Sequence, residues 1–429
     1  MDELVNSIFA IFSYWWLVIP LIVLTLARDW WLINLTEKYI ADIKWVLLEL
    51  SIPKENVKSA KAMEQVVNAL HGTYSFGIKV KDRYVKGKVE DWMSLETVGF
   101  SDGVHFFIRT PVGHRHLVES AFLSEYPDAE IFEVEEDYVQ KIKDKPFANR
   151  DIFGADFALA KADHFPLKTY EYFEDKTDER MLDPLATMTE VMATLKNNEA
   201  LWIQLLIRPT GDKWREKGQE EIDDLMGVKK GKGQSSFSGV AKDAREILSN
   251  IPTAMVQTPV FIEEVEVKLP QSKPAGPASQ DKIKAVYNKM SKNAFECILR
   301  VIYIDDKDEF TPENVTAFMG ALRQFSDQNL NQLAPHKPTL TTSSAVGLFN
   351  RKKKLVRRKR ELMINYIERA MPKPIKLPLV DSRLKTSILS SEEVATLFHP
   401  PSMLIKSQGV QVIQSRRGQA PMDLPTKER

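Results

Sequence analysis

A single cysteine in 429 residues rules out an intrachain disulfide and leaves no paired thiols for a redox or zinc motif. Cys297 sits in a strongly apolar run, as expected of a reducing compartment though also compatible with an oxidising one. Charge of one sign is lacking too. Basic and acidic residues number 59 each, so no global field points to nucleic acid or to anionic lipid. The chain has no Gly-x-Ser-x-Gly elbow and no His-Glu-x-x-His. The nearest approach to a phosphate-binding loop, Gly227 to Gly233, is one residue short, and Gly233 follows Lys232 where a hydroxyl is required. Asp305 and Asp306 end an apolar strand in the manner of a magnesium-holding acid, but without that loop they read as a strand entering a polar turn. His114 and His116, two apart, lack acidic or thiol partners at ligand spacing. These absences exclude the common hydrolase, metalloprotease and nucleotide-binding signatures, and the expectation is a chain without catalytic residues, cofactor or metal.

Long apolar runs are also scarce, and the exception stands at the start. Ile8–Ala27 is uncharged and almost wholly apolar, and twenty helical residues rise about 30 Å, the hydrocarbon thickness of a bilayer. Trp30 and Trp31 follow where indoles favour the headgroup interface. A cleaved signal peptide is the alternative, but Asp2 and Glu3 make the leader acidic and no small-x-small site precedes Arg28. Pro20 is tolerable in a helix within lipid. Arg28, Lys38 and Lys44 follow the run and no basic residue precedes it, so the charge bias predicts a single-pass anchor in the plasma (inner) membrane with the C-terminal bulk in the cytoplasm.

Periodicity predicts an α+β chain. Residues 1–44 form the anchor and juxtamembrane segment, and residues 45–140 a unit of order β-α-β-β-α-β, the ferredoxin-like arrangement. Its strand Trp45–Leu50 precedes a helix whose Met63, Val66, Val67 and Leu70 share one face. Trp92–Phe100 and Val104–Arg109 flank a hairpin signal at Ser101, Asp102 and Gly103, and a helix over His114–Glu125 leads to a strand at Ala129–Val134. Thr73–Asp91 reads as an insertion. Residues 150–345 repeat the order. Leu167–Tyr172 competes with Phe157–Lys161 as first strand, Asp183 and Pro184 start a helix, Leu201–Arg208 and Phe295–Ile304 are central strands, Thr311 and Pro312 start a second helix, and Lys337–Thr342 closes the sheet. Between the central strands lies an insertion over 209–293. It has helical stretches at Asp212–Met226 and Val240–Leu248 and linker composition at Val228–Gly239 and Leu269–Gln280. Residues 346–399 form a basic helical segment with a short helix at Ser391–Leu397, and 400–429 read as a disordered, extended tail.

The strongest local charge is the run Arg351, Lys352, Lys353, Lys354, Arg357, Arg358, Lys359 and Arg360. It is a candidate contact for phosphate or lipid, and equally a solvated helix face.

Several phrases together carry a resemblance. Ala62 to Gln65, Ala69 to Gly72 and Ser124 to Ala129 resemble the amino-terminal region of conjugative type IV secretion ATPases of the TraC and HerA-like group. Asp183 to Leu185, Ile203 and Gln204, Ile207 to Pro209 and Phe325 to Asn331 are similar to its second part, and Ser391 to Pro400 to the segment leading towards the motor. The resemblance covers roughly residues 45–425. In that family a P-loop motor follows, whereas this chain reaches Arg429 without one. The resemblance therefore implies the membrane-proximal, non-catalytic half of a secretion motor, with a separately encoded ATPase and other secretion components as partners. It also implies self-association through sheet edges and the 209–293 excursion. A membrane-tethered nucleic-acid-binding protein, contacting phosphates through the basic run with Lys229, Lys230 and Lys232, is the alternative.

Overall fold

A computed structural model describes residues 15–52, 58–140, 149–173, 183–196, 198–226, 277–346, 350–373 and 384–400. The glycine–lysine segment at 227–233, the Val240–Leu248 helix and the 401–429 tail expected from sequence lie outside them.

The first element, α1, is one helix over Trp15–Asp42 with Pro20 inside it. Its first half exposes Ile19, Leu21, Ile22, Val23 and Leu24, whereas Leu32 and Thr36 further along are buried. It is the one helix among the described residues that is long and apolar enough to cross a membrane.

Next come β1 (Trp45–Ser51), α2 (Ala60–Leu70), α3 (Val80–Lys86), β2 (Met93–Phe100), β3 (Gly103–Pro111), α4 (Arg115–Glu125) and β4 (Glu130–Glu133). Ser59 caps α2 by accepting from the Lys61 N–H, and Met63, Val66, Val67 and Leu70 are the buried stripe that their spacing picks out. The lateral strand order is β4-β1-β3-β2.

A second set follows: β5 (Arg150–Leu159), α5 (Ala186–Ala193), β6 (Ala200–Thr210), α6 (Lys213–Leu225), α7 (Pro277–Met290), β7 (Ala294–Asp306), α8 (Pro312–Arg323) and β8 (Leu333–Pro335). Its strands continue the same sheet as β6-β7-β5-β8, which is the order of the first set reflected. The join is β2 against β6, antiparallel, from Met93 opposite Ile207 to Gly99 opposite Leu201. Each long inner edge is therefore covered by the other set, and the outer edges are the short strands β4 and β8.

Two expectations shift. Leu167–Tyr172 is not a strand; only Tyr170–Tyr172 has regular secondary structure, as a single 3-10 turn, and β5 is the first strand of the second set. The reason is where its amides go: Leu167 N–H donates to Glu393 and Tyr170 N–H to Thr396, so the segment serves a helix instead of a sheet. Lys337–Thr342 does not form the closing strand. Pro338 lacks a donor, and Thr339 and Thr341 meet β5 through their hydroxyls, which accept from Asp156 N–H (3.0 Å) and Gly154 N–H (2.8 Å). A smaller difference is the start of α5, where the Asp183 carboxylate accepts from Leu185 N–H before the helix begins at Ala186.

The sheet is covered on both faces. One face packs on α2, α4, α5 and α8 through Leu95, Leu205, Leu299 and Phe157. The other carries α9 (Arg351–Ile367), whose Leu362, Met363 and Tyr366 pack with Trp202, Ile302 and Ile152. Strand side chains alternate between the faces, so even-numbered positions of β2, β6, β7 and β5 look towards α9. Gly154 permits the close approach, since a Cβ there would lie 2.7 Å from Leu362.

The last described elements, β9 (Ser387–Ser390) and α10 (Ser391–Leu397), return to the sheet. β9 pairs with β7 beyond the end of β5. Ser390 and Glu393 form a reciprocal capping box, and every residue of α10 is buried.

Candidate functional site

The eight basic residues singled out in sequence all lie on the first ten positions of α9. Three of them are used within the fold. Arg358 Nη1 donates to the carbonyls of Lys337, Leu340 and Ala345 at 3.1, 2.9 and 3.1 Å, Lys359 pairs with Asp151, and Arg351 Nε donates to Ser343 O. Arg357 approaches Glu361 at 3.5 Å. Lys352, Lys353, Lys354 and Arg360 are exposed and have no ion pair among the described residues. Helical spacing puts Lys353, Arg357 and Arg360 on one stripe, continued by the exposed Ile364. A phosphate-bearing partner would meet these three.

The fold's strongest electrostatic feature lies beneath the other end of α9. Glu96 stands opposite Gln204, Gln204 opposite Arg300 and Arg300 opposite Asp156, a polar line across β2, β6, β7 and β5. All four are fully buried. Glu96 accepts five hydrogen bonds: from Ser94, Gln204 Nε2 (2.9 Å) and Arg369 Nε (2.9 Å) on one oxygen, and from Tyr138 (2.8 Å) and Arg369 Nη2 (3.0 Å) on the other. Arg369 also pairs with Asp137 at 2.5 Å. It adopts a left-handed backbone conformation, φ 49°, just past the C-terminus of α9. Burial acts to raise the Glu96 pKa, but the Arg369 charge and the hydrogen bonds overcome it and hold the carboxyl below its usual range. Burial pushes the Tyr138 and Tyr366 phenols up, and their hydroxyls lie 2.8 Å apart. Arg109, stacked 4.2 Å over the Trp45 ring, is lowered to about 10 by burial and by the nearby Arg369 charge.

Because every Glu96 lone-pair direction is occupied, Glu96 has no position left for a ligand; the chemistry of its bonds is to fix α9 to the sheet. Sequence reasoning missed it. The available signal was a charge or amide inside each central apolar run, at Glu96, Gln204 and Arg300.

A second buried cluster holds α10. Lys289 of α7 pairs with Glu393 at 3.0 Å with both side chains fully buried, Lys292 bridges Glu64 (3.1 Å) and Glu392 (2.5 Å), and His399 lies 3.0 Å from Asp183. The C-terminal end of the 209–293 excursion is thereby tied to the segment that follows the sheet.

The remaining sequence candidates are local. His114 pairs with Asp91 at 2.9 Å and His116 is exposed, and no group of three potential metal ligands forms among the described residues. Asp305 accepts from Tyr303, Thr311 N–H and Asp306 N–H, as a turn carboxylate does. The Cys297 thiol is buried and its pKa is pushed up by that burial, which leaves it unreactive.

An apolar N-terminal helix leading into an eight-strand antiparallel path, with β9 beside it and helices on both faces, defines an α+β protein. Residues 42–412 match the family described as a domain of unknown function, DUF8128, and the chain belongs to that family. No curated protein matches it at a significant level.

Proposed function

We propose that the protein is a single-pass, membrane-anchored scaffold, non-catalytic, that holds a separately encoded P-loop ATPase at the inner membrane as part of a type IV secretion-like or DNA-transfer apparatus. The observation that carries the anchoring role is the continuity of α1. One uninterrupted helix bears an exposed apolar half and then a half packed on the folded body through Leu32 and Thr36, with Lys373 pairing Glu37. A helix docked in this way transmits position, whereas a flexible tether would not. In this reading the two strand sets, each β-α-β-β-α-β, are ferredoxin-like units fused edge to edge, and the body lies in the cytoplasm as the basic flank Arg28, Lys38 and Lys44 favours. The ATPase enters through the resemblance of residues 45–425 to the TraC and HerA-like group.

With the long inner edges paired to each other, self-association and motor docking fall to other surfaces, chiefly the 209–293 excursion and the exposed half of α9. The stripe Lys353, Arg357 and Arg360 favours a second reading, a membrane-tethered nucleic-acid-binding protein. Cross-linking in native membranes, followed by purification of the full-length protein and identification of what is attached, separates the two. Recovery of a P-loop ATPase supports the scaffold. Nucleic acid alone, lost with a steep salt dependence and with reversal of the three charges, replaces it with the second.

A further inference from the structure

Among the described residues, α3 is the one α-helix on which no residue is buried, yet it is far from polar. Val80 is 73% exposed and Val85 60%, Tyr84 is also exposed, and Phe76 in the preceding turn is 89% exposed. Between them stand Lys79, Lys81 and Arg83, exposed and without an ion pair among the described residues, while Lys86 pairs with Asp82 at 3.0 Å. An apolar, strongly basic seven-residue helix in open water lacks a reason to exist; at a bilayer surface it has the composition of an interfacial element.

Its position relative to α1 says what covers it. A Cβ at Gly87, which ends α3 in a left-handed conformation, would lie 2.5 Å from the Leu35 carbonyl and 2.7 Å from Thr36 N, so the end of α3 touches the α1 backbone there. Leu35 is eight residues beyond Ala27, the end of the apolar run, or about 12 Å along the helix. Tyr84 lies within electrostatic reach of Arg28, the first residue after that run. The headgroup layer adds about 5–8 Å to each side of the hydrocarbon core. The Gly87 contact therefore stands about 4–7 Å outside the headgroup layer, and α3 packs beside the stretch of α1 that follows the apolar run and also bears the exposed Trp30 and Trp31.

We propose that Phe76–Lys88 is a second membrane contact, resting on the bilayer surface with Phe76, Val80, Tyr84 and Val85 in the interface and Lys79, Lys81 and Arg83 against anionic phospholipid headgroups. This rests on the reading of α1 as a membrane span. Two contacts fix the rotation and tilt of the body above the membrane, which one helix alone leaves free.

The test uses the full-length protein in vesicles. Because Cys297 is buried, Phe76→Cys and Val85→Cys can each be labelled selectively with a polarity-sensitive fluorophore, with Glu216→Cys on α6 as the solvent-exposed control. Flotation with the vesicles checks the anchor first; a protein that does not float removes both the anchor and this inference. In floated protein, the labels at 76 and 85 are expected to be quenched by headgroup-level spin-labelled lipid and shielded from iodide when phosphatidylglycerol is present. The label at 216 should show the reverse. Reversing Lys79, Lys81 and Arg83 to Glu is expected to shift the bound-to-free ratio of this element by about tenfold or more, while the protein still floats. Labels at 76 and 85 as open to iodide as the one at 216, in floated protein, overturn the inference and leave the anchor standing.

Discussion

Each strand set contributes one fully buried carboxylate to an arginine pair, and the two pairs are built differently. Arg300 and Asp156 lie on adjacent strands of the second set, joined by a single 2.7 Å bond, and Asp156 Oδ2 is buried without a hydrogen-bond partner among the described residues. Glu96 and Arg369 join the first set to a residue 273 positions away, with both carboxylate oxygens saturated and Asp137 as a second acid. The first pair has both members in the sheet and reaches α9 only through backbone, Arg300 Nη1 donating to Asn365 O at 2.6 Å and Nη2 to Ala370 O at 3.5 Å. The second pairs a sheet carboxylate with an arginine from the end of α9 itself, so it ties the helix to the sheet charge to charge. Gln204 connects them, donating to Glu96 and accepting from Arg300 Nη1 at 3.0 Å.

The largest way to break the contrast is to remove the arginines one at a time. Arg369→Met strands Glu96 and Asp137 together and is expected to cost about 3–5 kcal/mol, read from urea unfolding of the detergent-solubilised protein by tryptophan fluorescence. Arg300→Met strands one carboxylate, Asp156, and leaves the neutral acceptors Gln204 Oε1 and Asn365 O short of a donor, so it should cost less, near the lower end of that range. An equal or larger loss for Arg300→Met would reverse the ranking. The depressed Glu96 pKa sets the direction with pH. Its stabilisation is complete above the unfolded-state value of about 4.3 and disappears as pH falls through the lower folded-state value, and Arg369→Met should remove most of that acid sensitivity.

Gln204→Leu tests whether the two pairs act as one unit. It leaves Glu96 short of a donor and Arg300 short of an acceptor, for an expected loss of about 1–3 kcal/mol. In a double-mutant cycle, Arg369→Met and Arg300→Met should be coupled by about 0.5–3 kcal/mol while Gln204 is present, and additive once it is replaced. Additivity in both backgrounds would make the polar line a row of independent contacts.

Much of the skeleton was legible in sequence because it is local. Met63, Val66, Val67 and Leu70 announce α2 by spacing alone, and two serines followed by Glu392 and Glu393 mark the start of α10 without saying which serine is the cap; the structure uses Ser390. The basic run was legible as a helix, but not that Arg358 and Lys359 belong to the fold, since their partners are carbonyls and an acid brought in by chain return. Leu167–Tyr172 reads as a strand because apolar residues cluster there; its amides are claimed by Glu393 and Thr396, more than 200 residues on. The pairing of Glu96 with Arg369 has no local signature at all. A charge in an apolar strand says that a partner must exist, and only the fold says which one.

The smallest effect expected, and the sharpest control on burial, comes from a third pair on the same line. Phe107 stands opposite both Glu49 and Glu96, so Glu49 extends the polar row to β1. His105 Nδ1 meets the Glu49 carboxylate at 2.8 Å, and the ring stacks on Phe107. Burial acts to lower the His105 pKa, but the hydrogen bond and charge of Glu49, with Asp102 behind, raise it above the ordinary histidine value. A raised folded-state pKa means that the stabilisation is complete below about pH 6.5 and is lost as pH rises through the folded-state value. The Glu49 side chain is 34% exposed, so solvent screens the pair and its worth is expected to be about 0.2–1 kcal/mol. His105→Gln should therefore flatten the stability profile above about pH 6.5 by no more than that. It should leave the acid limb governed by Glu96 unchanged. A loss comparable to that of Arg369→Met would mean that position along the row, and not burial, determines what a charge pair contributes in this sheet.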